Sequence, residues 1–182
     1  MPKRKSGWKR LDSEVRYDNP WIRVIHDRVI NPSGSPGIYG RVHFKNLAIG
    51  VIPLDEHGNT WLVGQYRYPL KRYSWEIPEG GGKLNIPPLV SAKRELREET
   101  GISARRWKKI LEMDLSNSAT DERAIVYLAQ DLSFGNAHPD EDEVLKIRKV
   151  SFEQCYRWVC SGFIRDAITV AAVLRLKTMF PL

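Results

Sequence analysis

The chain is poor in cysteine, has no long apolar run and shows no internal repeat, and each shortage closes off a class of protein. Two cysteines occur in 182 residues, Cys155 and Cys160. Spaced i,i+5 in an expected helix, they do not share a face. They read as free thiols in a reducing compartment, not as a zinc site or a redox pair. No hydrophobic stretch approaches the roughly 20 residues of a membrane-spanning helix, so no membrane partner is expected. The opening Met1-Pro2-Lys3-Arg4-Lys5 is basic but leads into no apolar segment. It does not read as a signal peptide, and the expected location is the cytoplasm. No nucleic-acid-binding motif is visible, although the net charge is +7 and the pI is close to 9.5. Lys3, Arg4, Lys5, Lys9 and Arg10 concentrate charge in an N-terminal arm over 1–12. The rest suits steering of anionic nucleotides, and nucleic acid is not the expected partner.

What remains suffices for one folded domain over 13–182, with 42% hydrophobic residues to build a core. Residues 21–30 have strand character, 31–37 are a turn cluster, and 39–44 read as a returning strand that closes an N-terminal hairpin. Residues 47–54 form a continuous apolar run of buried-strand length, and 60–67 are the next strand. A helix is expected over 88–100, with Pro88 at its first position and Gly101 as its stop. Leu89, Ala92 and Leu96 form its core-facing stripe. Strands are expected near 107–114 and 123–129, a polar loop over 131–142, a last strand over 145–150, and closing helices over 153–160 and 166–179. This order suggests an α/β sandwich.

The chemistry concentrates in that first helix. Arg94-Glu95-Leu96-Arg97-Glu98-Glu99 places three glutamates at i, i+3 and i+4, on one helical face. Like charges at this spacing repel by roughly 0.2–0.5 kcal/mol per pair. Such a cost is reasonable where a cation is held, and all-oxygen ligands suit Mg²⁺ or Mn²⁺. Upstream, Trp75-Glu76-Ile77-Pro78-Glu79 leads into Gly80-Gly81-Gly82. Consecutive glycines cost roughly 0.5–1 kcal/mol each in a helix or strand, so they read as a sharp turn or a close approach to a ligand.

Read together, Gly80 to Ile102 resembles the Nudix box: a glycine, a glutamate, then Arg-Glu-aliphatic-x-Glu-Glu-x-Gly-aliphatic. Gly80, Arg94, Glu95, Leu96, Glu98, Glu99, Gly101 and Ile102 fall in register, and Ile86 stands where the family has its first glutamate. The resemblance implies an α/β/α sandwich with a mixed sheet. It also implies a loop–helix–loop that holds divalent metal against a diphosphate. On that reading Glu95, Glu98 and Glu99 hold the metal, the backbone carbonyl near Glu79 and Gly80 adds an oxygen, and Arg94 orients a box glutamate.

Further segments are similar to the ADP-ribose and nucleoside-diphosphate-sugar pyrophosphatase group of that family. These are Gln65-Tyr66-Arg67, Trp75-Glu76-Ile77-Pro78-Glu79-Gly80 and Gly162-Phe163-Ile164-Arg165-Asp166. The likeness implies substrate contacts from Gln65, Arg67 and Glu76. It also implies a general base on the acidic loop 139–143, with Glu141 in the matching position and Glu143 as the other candidate. Tyr17, Trp21 and Tyr39 are aromatic candidates for stacking on a base, and Arg41 and His43 could reach ribose or phosphate. The group pairs its subunits through N-terminal strands, which implies a homodimer involving 13–46. The expected activity is Mg²⁺-dependent hydrolysis of ADP-ribose or a nucleoside diphosphate sugar. The rivals are a nucleotide sensor that has lost turnover, which Ile86 would favour, and an RNA 5′-end pyrophosphohydrolase.

Overall fold

The computed structural model describes residues 6–137 and 145–179. The chain divides into two compact units, Met1–Asn46 with Asp114–Glu122, and Leu47–Met113 with Arg123–Leu182.

The first unit is a three-stranded antiparallel sheet of β1 (Lys9–Asp18), β2 (Ile22–Ile30) and β3 (Pro36–Phe44). The expected hairpin is β2 and β3. Its turn is held by the Asn31 side chain, which accepts from the Ser33 and Ser35 N–H groups, with Gly34 at φ 89°. The arm expected over 1–12 is corrected here, because residues 9–12 belong to β1. Every residue of that strand is exposed, although Leu11, Val15 and Tyr17 alternate with Asp12, Glu14, Arg16 and Asp18 along it. Asp27 lies among the buried residues of β2, where an unpaired carboxylate would be costly. Arg41 Nε donates to Asp27 Oδ2 at 2.7 Å and Ser13 Oγ to Oδ1 at 2.5 Å, tying all three strands together.

The second unit holds two sheets. One is ordered β7 (Glu79–Lys83), β4 (Asn46–Pro53), β9 (Arg123–Phe134), β8 (Ile102–Asp114), and the other β10 (Lys146–Ser151), β5 (Asn59–Arg67), β6 (Arg72–Glu76). β4 and β9 are parallel, while β5 pairs antiparallel with β6 and β10. β4 is buried on both faces, as its unbroken apolar run suggested. Leu47, Ile49 and Val51 pack with Ala92 and Leu96 of α1 (Pro88–Thr100). On the other face, a Cβ at Gly50 would lie 2.9 Å from Ile168 of α3 (Ala167–Met179) and from Ile77. Helices therefore cover both faces of the sheet, as expected. α2 (Phe152–Cys160) begins at Ser151, whose hydroxyl accepts from the Gln154 N–H.

α1 has the expected bounds, and its Gly101 cap sits at φ 71° with its N–H on the Arg97 carbonyl. Three segments differ from the sequence reading. β8 starts directly after Gly101, not near 107. The loop expected from 131 begins later, since β9 continues to Phe134, where Leu132 packs on the core and Phe134 meets the Trp61 ring. Gly80 to Gly82 form a strand, not a turn. Cys155 is buried and Cys160 exposed, both as free thiols.

The Asp27 bond network has a pH signature. Arg41's hydrogen bond, then Ser13's, hold this carboxyl below its ordinary value of 3.8, against the effect of burial. A carboxyl with a lowered folded-state value contributes stability above the unfolded value and loses it as pH falls through the folded one. The melting-temperature gap between wild type and Asp27→Asn should therefore be full near neutrality and close below about pH 4. Melts followed by circular dichroism at several pH values check this; a gap that stays constant down to about pH 2 contradicts it.

Candidate active site

The site grows from the place where α1 meets β7. Ala92 and Leu96 enter the apolar core, while the buried carboxylates Glu95 and Glu99 turn toward the strand. A Cβ on Gly80 would lie 2.4 Å from the Glu95 carboxylate carbon, and one on Gly82 would lie 2.8 Å from Ile49 Cγ1. At Gly80 a side chain would displace the Glu95 carboxylate of α1, and at Gly82 it would press on Ile49 of β4, which is how this strand comes to tolerate glycine. Glu99 Oε2 accepts from the Glu79 N–H at 2.9 Å. Arg94 donates to Glu98 Oε2 at 2.5 Å, to Glu95 Oε1, and to the Gly81 carbonyl at 3.0 Å. Burial works against the Arg94 charge, yet Glu95 and Glu98 outweigh it and raise its pKa.

A second acidic cluster lies on neighbouring strand ends. Glu76, 2% exposed, takes Arg67 Nε on both oxygens at 3.1 and 3.0 Å. Arg67 Nη2 also reaches Glu79 Oε1 at 2.9 Å. The other Glu79 oxygen is buried and has no hydrogen-bond partner among the described residues. Burial, then the charges of Asp166 and Glu76, push the Glu79 carboxyl well above the usual carboxylate range, against the pull of Arg67. Asp166 completes the group: carboxylate oxygens of Glu76, Glu79 and Asp166 lie within 4.8 Å of one another.

The predicted residues are thus distributed unevenly. Glu95, Glu98, Glu99, Arg94 and Gly80 meet at the α1–β7 junction. Arg67, expected on the phosphate or ribose of the substrate, is held by Glu76 and Glu79. Gln65, half-buried on β5, lies opposite Ser74. In the first unit Arg41 is paired with Asp27 and His43 with Asp121 at 2.6 Å. Tyr39 and Arg41 line a cleft of about 160 Å³ with Asn117, Ser118 and Asp121. Tyr17 and Trp21 are exposed. Glu141 and Glu143 lie outside the described residues. The sequence reading passed over two side chains: Glu79, taken only for its backbone carbonyl, and Asp166, taken only as part of a turn. The signal available for Glu79 was its i,i+3 spacing from Glu76 across a proline. A cavity of about 680 Å³ opens elsewhere, among Asp55, Arg106, Asp131 and Lys149. Its Arg106 and Lys149 are paired with Asp131 and Asp55, and Arg105 also lines it.

Fold and site together define an α/β protein with an acid-faced helix docked on a glycine strand. The family model described as the NUDIX domain matches residues 44–165, and that described as the nucleoside diphosphate sugar hydrolase N-terminal domain matches residues 8–42. The chain belongs to the Nudix family. It is 30% identical over 179 residues to the ADP-ribose pyrophosphatase of Mycobacterium tuberculosis, covering 94% of this chain and 84% of that protein. It is 35% identical over 132 residues to the ADP-ribose pyrophosphatase of Bacillus subtilis, covering 71% of each. The methanol dehydrogenase activator of Bacillus methanolicus is 32% identical over 171 residues, covering 93% of this chain and 92% of that protein. A crystal structure of an ADP compounds hydrolase superposes with a TM-score of 0.86 at 18% identity, covering 97% and 96% of the two chains, which shows the shared fold.

The contact between Gly80 and Glu95 makes a direct prediction. Gly80→Ala must displace the carboxylate or the strand, costing about 1–3 kcal/mol of stability. Gly37→Ala, where a Cβ would meet nothing within 4 Å, should stay within about 0.5 kcal/mol of wild type. Urea midpoints measured side by side check this, and equal midpoints for the two variants contradict it.

Proposed function

We propose that the chain is a divalent-metal-dependent hydrolase that splits the diphosphate of ADP-ribose or a nucleoside diphosphate sugar into a nucleoside monophosphate and a sugar phosphate. The observation that carries this reading is the α1–β7 junction, where Glu95 and Glu99 lie against a strand backbone that glycine alone permits. The ADP-ribose pyrophosphatases among its relatives support the substrate class. The donor set of Glu95, Glu98, Glu99 and the backbone oxygens near Glu79 and Gly80 is all oxygen and fits Mg²⁺, with Mn²⁺ as a substitute. A divalent ion there neutralises phosphate oxygens and lowers the pKa of bound water.

The protein's own groups do the rest. Arg94 holds Glu95 and Glu98 in place through its two ion pairs. Arg67 and Gln65 face the diphosphate and ribose. Arg41, Tyr17 and Trp21 are assigned to the nucleoside end. Glu141, or else Glu143, takes the proton from the attacking water, since a carboxylate outside the metal shell keeps its proton affinity. The active form is a cytoplasmic homodimer. The fully exposed edge strand β1, with Leu11, Val15 and Tyr17 open to solvent, supports strand-mediated pairing.

One observation favours a second reading. Ile86 carries no ligand atom at the position of the family's first glutamate, so a nucleotide-binding sensor without turnover is the alternative.

Two measurements separate these readings. Glu99→Gln should keep the fold and lower kcat/KM for ADP-ribose by about 10²-fold or more, roughly 3 kcal/mol of transition-state stabilisation. Full activity in that variant removes the metal assignment. Wild-type protein that binds nucleotide tightly but releases no monophosphate from any diphosphate substrate supports the sensor.

Glu141→Gln should lower kcat far more than KM. A larger loss in Glu143→Gln moves the base to Glu143. Losses below about tenfold in both, small beside general-base contributions, leave catalysis to the box alone.

A further inference from the structure

We propose that Glu76, Glu79 and Asp166 form a divalent-cation site of their own, separate from the glutamates on α1. Their carboxylates come from the end of β6, the start of β7 and the entry to α3, and their oxygens lie within 4.8 Å of one another. Each arm is fixed by a bond that leaves ligand capacity free. Asp166 Oδ2 accepts from the Thr169 N–H at 2.7 Å, capping α3 and leaving its other oxygen available. Glu76 is clamped by Arg67, and the Thr169 hydroxyl accepts from the Ile77 N–H at 3.0 Å, which fixes the strand between the two glutamates. Glu79 Oε1 accepts from Arg67, but Glu79 Oε2 is buried and receives no hydrogen bond from the described residues.

That orphaned oxygen is the observation that points to a ligand. The large majority of buried carboxylate oxygens in folded proteins are hydrogen-bonded, and an exception calls for an explanation, a bound ion or water among them. Charge identifies the partner. When all three carboxylates are ionised, the described residues set one guanidinium, Arg67, against them, which leaves two formal negative charges unmatched in a largely buried cluster. One divalent cation balances them. The donors are all hard oxygens, which selects Mg²⁺, Mn²⁺ or Ca²⁺ over softer metals. A cation there would tie the start of α3 to the strand that carries Gly80. It would act on the box through Glu79, whose N–H holds Glu99.

The test uses the full chain with Glu98→Gln and Glu99→Gln together, so that the box no longer competes for metal, and Mn²⁺ as the probe. Free Mn²⁺ is read by electron paramagnetic resonance and the melting temperature by circular dichroism. The proposal expects this protein still to bind Mn²⁺ and to melt higher when it does. Adding Asp166→Asn, which keeps an oxygen for the α3 cap, should weaken that binding about tenfold or more, the scale on which even groups supporting a metal act. It should also abolish the rise in melting temperature, and Glu79→Gln should do the same. The proposal is overturned if the box variant binds no Mn²⁺. It is equally overturned if Asp166→Asn binds Mn²⁺ as tightly as its parent does; this arm holds even where Glu79→Gln folds poorly. Failure of the box assignment shows separately, as full hydrolytic activity in Glu99→Gln.

Discussion

The close approach of β7 to α1 is the constraint on which the site depends. A side chain at position 80 would collide with Glu95 of α1, and one at 82 with Ile49 of β4, so Gly80 presents bare backbone to the helix carboxylate. Once it does, the helix is fastened by polar bonds on one side, from the Glu79 N–H to Glu99 and from Arg94 to the Gly81 carbonyl. On the other it is fastened by the burial of Ala92 and Leu96. A helix held on both flanks cannot rotate its glutamates away, so its carboxylates stay in place against their mutual repulsion.

Two arginines divide the negative charge of this region between them. Arg94 serves Glu95 and Glu98 on the helix, and Arg67 serves Glu76 and Glu79 on the strands. Neither cation is matched by a single anion, and both regions keep an acidic surplus. A surplus of buried or half-buried carboxylates destabilises a protein unless cations arrive. Such an arrangement suits a protein whose working state includes divalent ions.

The sequence disclosed these features unequally. α1 could be read to the residue because three signals coincide: Pro88 at the start, Gly101 at the end and a core stripe between them. β4 was equally plain, since a strand buried on both faces has to be apolar throughout. β1 was passed over for another reason: Leu11, Val15 and Tyr17 alternate with Asp12, Glu14, Arg16 and Asp18, but the basic residues at its start were read as an arm. The glycines carried an ambiguous message. Their freedom from steric conflict was read as a sharp turn or a close approach to a ligand, while the fold uses it for a close approach of an extended strand to the Glu95 carboxylate. Asp166 was legible as part of a turn, but its nearness to Glu79 is a product of how α3 packs on β4. Spacing along the chain contains no trace of that contact. The Glu141 and Glu143 assignments come from likeness within the family.

The central claim is that the carboxylates fastened at the α1–β7 junction serve a metal-dependent cleavage of a diphosphate. The most direct measurement is the release of AMP from ADP-ribose by the purified chain, followed by chromatography with Mg²⁺ present and again after chelation. The account predicts AMP and ribose phosphate in equal amounts with Mg²⁺, none under chelation, and recovery when Mg²⁺ is restored. AMP release that is indifferent to chelation would contradict it, as would intact ADP-ribose and nucleotide sugars after long incubation with Mg²⁺ or Mn²⁺.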